Sequence, residues 1–246
     1  MNIVVHGAAG RMGQVLLESV ADAKDVHVLA CVDSSGAKGC LPDLAAVEGE
    51  VNAVIDFTLP DGAMRAVDIC EKRGWPLVTG TTGFSDAQRE RIAGAASTIP
   101  IVAAPNMSIG VNLVFKLLNE TIRVLGLETE VDIQEKHHVD KVDAPSGTAL
   151  KMGELIASAR GQKLDEVAVF EAAPGTHEKG TIGFVSLREG ETVGVHTANF
   201  AMEGENISIT HEAFDRRIYA IGALRAARWI QGKLPGLYGM SDVLNL

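Results

Sequence analysis

The sequence predicts an α/β protein: a doubly wound parallel sheet with helices on both faces, plus a smaller α+β domain whose sheet is mostly antiparallel. Three observations predict it. Short β-rich runs alternate with helical stretches over roughly the first hundred residues, the pattern of a parallel sheet. A glycine-rich turn, Gly7-Ala8-Ala9-Gly10-Arg11-Met12-Gly13, joins the first run to the first helix. After Asn106 the alternation stops, and residues 166–211 carry several strand patterns and no helix pattern. A chain of 246 residues has room for one large domain or two modest ones.

The elements follow in order. Residues 3–5 read as a buried strand. Residues 11–21 read as a helix with Met12, Val15, Leu16 and Val20 on one face. Strands are expected at 26–32, 53–57, 77–79 and 101–103. Between them, Asp61-Gly62 opens a helix running to Arg73, and Ser85 caps another that runs to about Ser97. Val111, Val114, Phe115, Leu118, Ile122 and Leu125 recur at helical spacing, so 110–125 is an amphipathic helix. A strand at 131–137 and a helix at 147–160 come next. Strands at 167–170, 181–187, 192–201 and 206–210 are separated by turn signals at Gly190 and Glu203-Gly204. The last strong pattern is a helix over 214–231 carrying Ile218, Ile221, Leu224, Ala227 and Trp229.

Composition narrows the function. The hydrophobic share is 46% and the formal charge is −10. Nucleic acid and anionic membrane surfaces need clustered Lys and Arg, so neither is an expected partner. An anionic small molecule remains open, because a pocket can be locally basic. Cys31, Cys40 and Cys70 have no paired or CxxC spacing and read as thiols in a reducing compartment. Residues 1–6 lack a basic leader region, and no apolar run approaches the roughly 20 residues that span a bilayer. A cytoplasmic protein is expected.

Gly7, Gly10 and Gly13 have the spacing GxxGxxG rather than GxGxxG, which is weak evidence alone. Their context is the informative part: strand, turn, helix, then an acid, Asp33, about 20 residues later at the end of the second strand. That context predicts a Rossmann-type dinucleotide site. Glycines let the backbone approach a pyrophosphate, whose charge sits at the helix N-terminus. Asp33 would accept hydrogen bonds from the adenosine ribose. A 2′-phosphate needs a cation beside this acid, yet Ser34 and Ser35 follow it and the nearest lysine is Lys38. NADH is therefore expected to serve at least as well as NADPH. Gly80-Thr81-Thr82-Gly83, Phe57-Thr58 and Ala104-Pro105-Asn106 all follow strands at the carboxyl edge of the sheet, where open α/β folds bind ligands. Each of these alone is also compatible with a plain βα turn.

The segment Glu135 to Ala149 gathers His137, His138, Lys141 and Ser146-Gly147-Thr148. Neighbouring residues on a strand point to opposite faces, so the two histidines are poor joint ligands, and no HExxH is present. No metal site is expected. For His137, His138 and Lys141 to converge, the strand must end near His137 and the chain must bend. A histidine can donate a proton near neutral pH. Lys141 can pair with a carboxylate. Ser146-Gly147-Thr148 opens a helix, so backbone N–H groups and two hydroxyls form a carboxylate cradle. The plainer alternative is an N-cap beside a solvated strand end.

Together these segments resemble the dihydrodipicolinate reductase family of lysine and diaminopimelate biosynthesis, over nearly the whole chain. The markers are Gly7 to Gly13, Ile55-Asp56-Phe57-Thr58, Gly80-Thr81-Thr82-Gly83-Phe84, Asn106-Met107-Ser108-Ile109-Gly110-Val111-Asn112, the run from His137 to Thr148, Gly180-Thr181-Ile182-Gly183-Phe184 and Gly194-Val195-His196-Thr197. The resemblance implies NAD(P)H-dependent reduction of 4-hydroxy-tetrahydrodipicolinate, or dihydrodipicolinate, to tetrahydrodipicolinate. It implies His137 as proton donor assisted by Lys141, with His138, Lys141, Ser146, Gly147 and Thr148 on the substrate's carboxylates. It implies that Gly7, Ala9, Gly10, Arg11, Met12, Gly13, Asp33, Phe57, Thr58, Gly80, Thr81, Thr82, Ala104, Pro105, Asn106 and Met107 line the cofactor, with Arg216 reaching the same site. It further implies a dinucleotide-binding domain of 1–108 and 216–246, a substrate-binding and oligomerisation domain of 109–215, domain closure over the reactants, and a homotetramer.

Two departures bear on the cofactor. Ser34 stands where members that use NADPH well often carry a basic residue, and the connection from Asp33 to Ala53 is short. Two rival classes are an amino-acid dehydrogenase acting on aspartate and a redox-sensing NAD-binding regulator. The second would need a DNA-binding module, and no basic helix-turn-helix pattern is present.

Overall fold

The computed structural model describes residues 1–171 and 175–246. The chain forms two compact units, Met1–Ile109 with Arg216–Leu246, and Gly110–Asp215.

The first segment runs β1 (Asn2–His6), α1 (Arg11–Ala21), β2 (His27–Val32), β3 (Ala53–Asp56), α2 (Pro60–Arg73), β4 (Leu77–Thr79), α3 (Asp86–Ala95) and β5 (Pro100–Ala103). Local chemistry sets the helix ends. Pro60 opens α2 with its fixed φ, Asp61 lies in the first turn, and Lys72 and Arg73 close the last turn in keeping with the helix dipole. Ser85 and Gln88 make a reciprocal capping box on α3. β3 and β4 are buried at every position, as expected of parallel strands covered on both faces. Alternate residues feed two cores: Ile3, Val5 and Ile55 face one, while Val4, Val54 and Leu77 face the other.

The second unit runs α4 (Ile109–Leu125), β6 (Glu130–His137), α5 (Gly147–Ala159), α6 (Leu164–Val167), β7 (Ala168–Phe170), β8 (Ile182–Arg188), β9 (Gly194–Met202) and β10 (Glu205–Ala213). Its sheet has the order β10-β9-β6-β8-β7. β9 is antiparallel to β10 and β6, whereas β8 is parallel to β6 and β7. The sheet is therefore mixed rather than mostly antiparallel. The reason is the crossover through α5, which returns the chain in the direction of β6. The four-residue α6 is a second difference, since it overlaps a stretch expected to hold only strands.

The chain then returns as α7 (Arg217–Trp229), β11 (Gly236–Tyr238) and α8 (Met240–Leu244). The first unit's sheet has the order β11-β5-β4-β3-β1-β2, with every pairing parallel. It grows outward from β1 in both directions, so a topological switch point lies between β1 and β3. β11 and α8 have no forewarning in the sequence pattern, because three residues around Gly236 are too few to show a period. Among the described residues, no helix is long and apolar enough to cross a membrane.

Candidate active site

The dinucleotide turn begins where β1 ends. Gly7 has φ +81°, a left-handed conformation natural to glycine. A Cβ on Gly13 would lie 2.2 Å from the Gly7 carbonyl oxygen, so the first turn of α1 is pressed against the loop. Gly10 occupies the N-cap and offers no side chain to the helix end, and no acidic residue lies in the first turn. The positive end of α1 is thus left for an anion. Asp33 follows β2. Its carboxylate accepts from Ala9 N–H at 3.1 Å and from the Ser35 N–H and hydroxyl at 3.1 and 2.6 Å. These bonds, the Ser35 hydroxyl foremost, outweigh partial burial and hold the Asp33 carboxyl below its ordinary range.

Asp56 adds a residue beyond those named for the cofactor. It is fully buried at the end of β3. It accepts from the hydroxyls of Thr58, Thr79 and Thr81 at 2.7, 2.8 and 2.8 Å, and His6 Nδ1 lies 2.9 Å away. One carboxylate thereby ties the ends of β1, β3 and β4 together, where the turns at Gly7, Phe57 and Gly80 begin. Its signal was an acid inside an otherwise apolar strand run.

The other cofactor candidates sit as follows. The Phe57 ring lies on Gly80, where a Cβ would come within 2.3 Å of it. Thr58 and Asn106 are half-buried, and Thr82 and Pro105 are exposed. Arg216 is half-buried at the N-cap of α7. Two of the candidates are buried and engaged within the protein. Thr81 is buried with its hydroxyl engaged by Asp56, so it braces the turn. Met107 packs in the core beside α7, where a Cβ on Gly222 would meet its carbonyl at 1.7 Å, so its side chain fills space.

The histidine segment lies on the second unit's sheet. Register places residues in rungs across β8, β6, β9 and β10. Two rungs are apolar: Ile182, Val131, Phe200 and Ile207, then Phe184, Ile133, Ala198 and Ile209. The next is Ser186, Glu135, His196 and His211. Beyond it Arg188 pairs with His137. A single sheet face therefore passes from core to chemistry within four rungs.

His137 is 8% exposed, and its Nδ1 is hydrogen-bonded to the Glu135 carboxylate. Arg188 Nη1 pairs with the other Glu135 oxygen at 3.0 Å. Burial opposes ionisation of Glu135, but hydrogen bonds from His137, Ser186 and Arg188 outweigh it and hold the carboxyl at about 2. His196 meets His137 edge to face, with ring centroids 4.9 Å apart. Burial, then the charge of His137, pushes His196 down to about 3, so it is neutral. Its Nε2 lies 2.9 Å from Ser146 Oγ, and that oxygen caps α5 by accepting from Ala149 N–H at 3.2 Å.

β6 ends at His137, and Lys141 N–H closes a turn on the His138 carbonyl at 3.2 Å, which is the bend that convergence requires. Lys141 Nζ pairs with Asp143 at 2.7 and 2.9 Å. Gly147 is exposed, and His138 and Thr148 are half-buried. His137 and Ser146 are brought together through His196, whereas Lys141 is held by Asp143. Glu135, Arg188 and His196 extend the motif residues. Glu135 was legible in principle, two residues before His137 on the same strand face.

A glycine turn at a helix start, with an acid after β2, is the arrangement of a dinucleotide-binding domain. Comparison with known proteins narrows the class. The family model described as "Dihydrodipicolinate reductase, N-terminus" matches residues 1–107, and the one described as "Dihydrodipicolinate reductase, C-terminus" matches residues 110–244. The chain belongs to the dihydrodipicolinate reductase family. It is 46% identical to a 4-hydroxy-tetrahydrodipicolinate reductase of Hahella chejuensis (strain KCTC 2396), with 99% of this chain and 98% of the relative covered. Among solved structures, a dipicolinate-bound dihydrodipicolinate reductase from Paenisporosarcina sp. TG-14 shares the fold with a TM-score of 0.77 at 24% identity, covering 99% of both chains. A probable dehydrogenase from Thermotoga maritima shares it with a TM-score of 0.62 at 12% identity, covering 100% of this chain and 93% of the other.

Proposed function

We propose that this protein reduces 4-hydroxy-tetrahydrodipicolinate, or the dihydrodipicolinate formed from it by loss of water, to tetrahydrodipicolinate in diaminopimelate and lysine biosynthesis. The observation that carries the reading is the buried His137–Glu135 pair beside a helix start capped by Ser146, in a chain of this family. A bound NADH or NADPH supplies the hydride. The residues fit such a cofactor: the glycine turn is filled if any Cβ is added at Gly7 or Gly13, and the α1 N-terminus complements a pyrophosphate. Asp33 holds the ribose, and Phe57, Thr58, Gly80, Thr82 and the Ala104 to Asn106 turn edge the nicotinamide half. His137, held through Nδ1, gives the proton from Nε2 to the carbon beside the one that is reduced. His138, Lys141 and the Ser146-Gly147-Thr148 helix start take the two carboxylates.

The neutral Ser34-Ser35 pair beside Asp33 supports NADH serving at least as well as NADPH. Initial rates with each cofactor, on substrate generated from pyruvate and aspartate semialdehyde, test both parts. NADH is expected to match or exceed NADPH. Turnover with NADPH alone removes the cofactor reading, and no turnover with either removes the activity.

The same reading gives the first unit the cofactor and the second the substrate and assembly. It includes a cytoplasmic location, in keeping with three free thiols. It also includes a homotetramer, for which light scattering is expected to give four times the 26.0 kDa chain. A mass of one chain excludes the assembly.

A further inference from the structure

We propose that Glu135 and Arg188 are positioning residues for the reduction: Glu135 fixes His137 as a donor through Nε2 and sets a carboxylate against the ring, and Arg188 ties Glu135 to the loop carrying Lys141. The proposal rests on the reading of His137 as the acid.

The geometry supports each half. Glu135 is 2% exposed and bonds Nδ1 of His137, so the other ring nitrogen is the one presented to a reactant. Nε2 stands over Gly194, where a Cβ would come within 3.0 Å of it. A residue with a side chain there would crowd the donor atom, and Gly194 keeps it clear.

Charge explains why a carboxylate is needed. The groups facing His137 are Glu135 on its own strand, Arg188 opposite it on β8 and His196 on β9, with Lys141 in the following loop and His211 one strand further on β10. Arg188 and Lys141 are cations and disfavour a protonated imidazole. His196 is neutral and supplies no charge. Glu135 is the anion in contact with the ring, and Lys141 is already paired with Asp143, so Glu135 is the group that offsets Arg188 when His137 carries its proton.

Arg188 joins two pieces of machinery. Its Nη1 holds Glu135 at 3.0 Å. Its Nε donates to the Lys141 carbonyl at 3.1 Å and its Nη2 to the Asp143 carbonyl at 2.5 Å. A planar fork reaches three acceptors at once, which the single ammonium of a lysine does not reproduce. The loop holding Lys141 is thereby set relative to the acid. During turnover the proton would leave His137 Nε2 for the substrate carbon, with the hydride supplied by a bound nicotinamide. The imidazole is left neutral with Nδ1–H still donated to Glu135, and solvent restores the proton.

Three variants test this. Glu135→Gln is expected to lower kcat about 10- to 100-fold, part of what a general acid contributes. It is also expected to move the alkaline limb of the kcat–pH profile to lower pH by about one unit or more. Glu135→Asp should recover part of that shift, because it retains the charge. Arg188→Lys should raise the substrate KM severalfold and leave the kcat–pH profile in place. Where Glu135→Gln fails to fold, Glu135→Ser and Glu135→Ala take its place, and the same shift of the alkaline limb is expected of whichever folds. An unmoved alkaline limb in folded Glu135→Gln overturns the role of Glu135, and an unmoved KM in Arg188→Lys overturns that of Arg188. His137→Gln serves as the reference: a wild-type kcat there removes the acid assignment itself, a different failure from either of these.

Discussion

Replacing His137 with Gln is expected to lower kcat by about 10²–10⁴-fold, the usual contribution of a positioned general acid. NADH affinity should be nearly unchanged, because the glycine turn lies in the other unit. Gln keeps a polar group of similar reach but has no proton to give near neutral pH. The loss should therefore appear in the chemical step rather than in binding. Thr148→Val supplies the contrast. It removes one hydroxyl from the helix start proposed to hold a carboxylate, at a cost of roughly 1.5–3 kcal/mol, or about 10- to 100-fold in KM. Steady-state kinetics of the pair decide the roles. If His137→Gln mainly raised KM and Thr148→Val mainly lowered kcat, the assignments would have to be exchanged.

Gly13→Ala is expected to weaken NADH binding by at least about tenfold, with overpacking costing about 1–3 kcal/mol of stability. The new Cβ would lie 2.2 Å from the Gly7 oxygen and 2.7 Å from the Ala8 Cα. Both neighbours are backbone, so no rotamer change relieves the contact. Helix and loop must separate, and the N–H groups at the start of α1 then lose their aim at the pyrophosphate. Nicotinamide fluorescence titration and a thermal melt measure the two effects. Unchanged affinity would falsify the placement of the pyrophosphate at this turn.

Much of the architecture was legible because its causes are local. The parallel strands announced themselves as apolar runs, α1 by its period, and α3 by Ser85 with Gln88 three residues later. The strand end at His137 and the helix start at Ser146 were legible for the same reason: the residues that make them lie close together in sequence. What was hidden depends on pairing between distant strands. β8 lies parallel to β6 because of a crossover, and no local pattern states which neighbour a strand will choose. Arg188 reaches His137 only through that pairing, and His196 only through the antiparallel pairing of β9 with β6, so no local pattern joined either of them to His137. Met107, which belongs to a family marker, has its side chain in the core.

The first unit is assembled from both ends of the chain, and this has a consequence during synthesis. As the ribosome releases the polypeptide, strands β1 to β5 emerge early, but α7, which covers Ile3, Val5 and Ile55, and the edge strand β11 come last. Residues Gly110–Asp215 are contiguous and can complete their sheet while the nucleotide unit still waits for its final pieces. A chain that stops short of residue 216 therefore keeps the histidine segment and loses the cover of the cofactor domain. Competence to bind dinucleotide then depends on synthesis having passed α7 and β11.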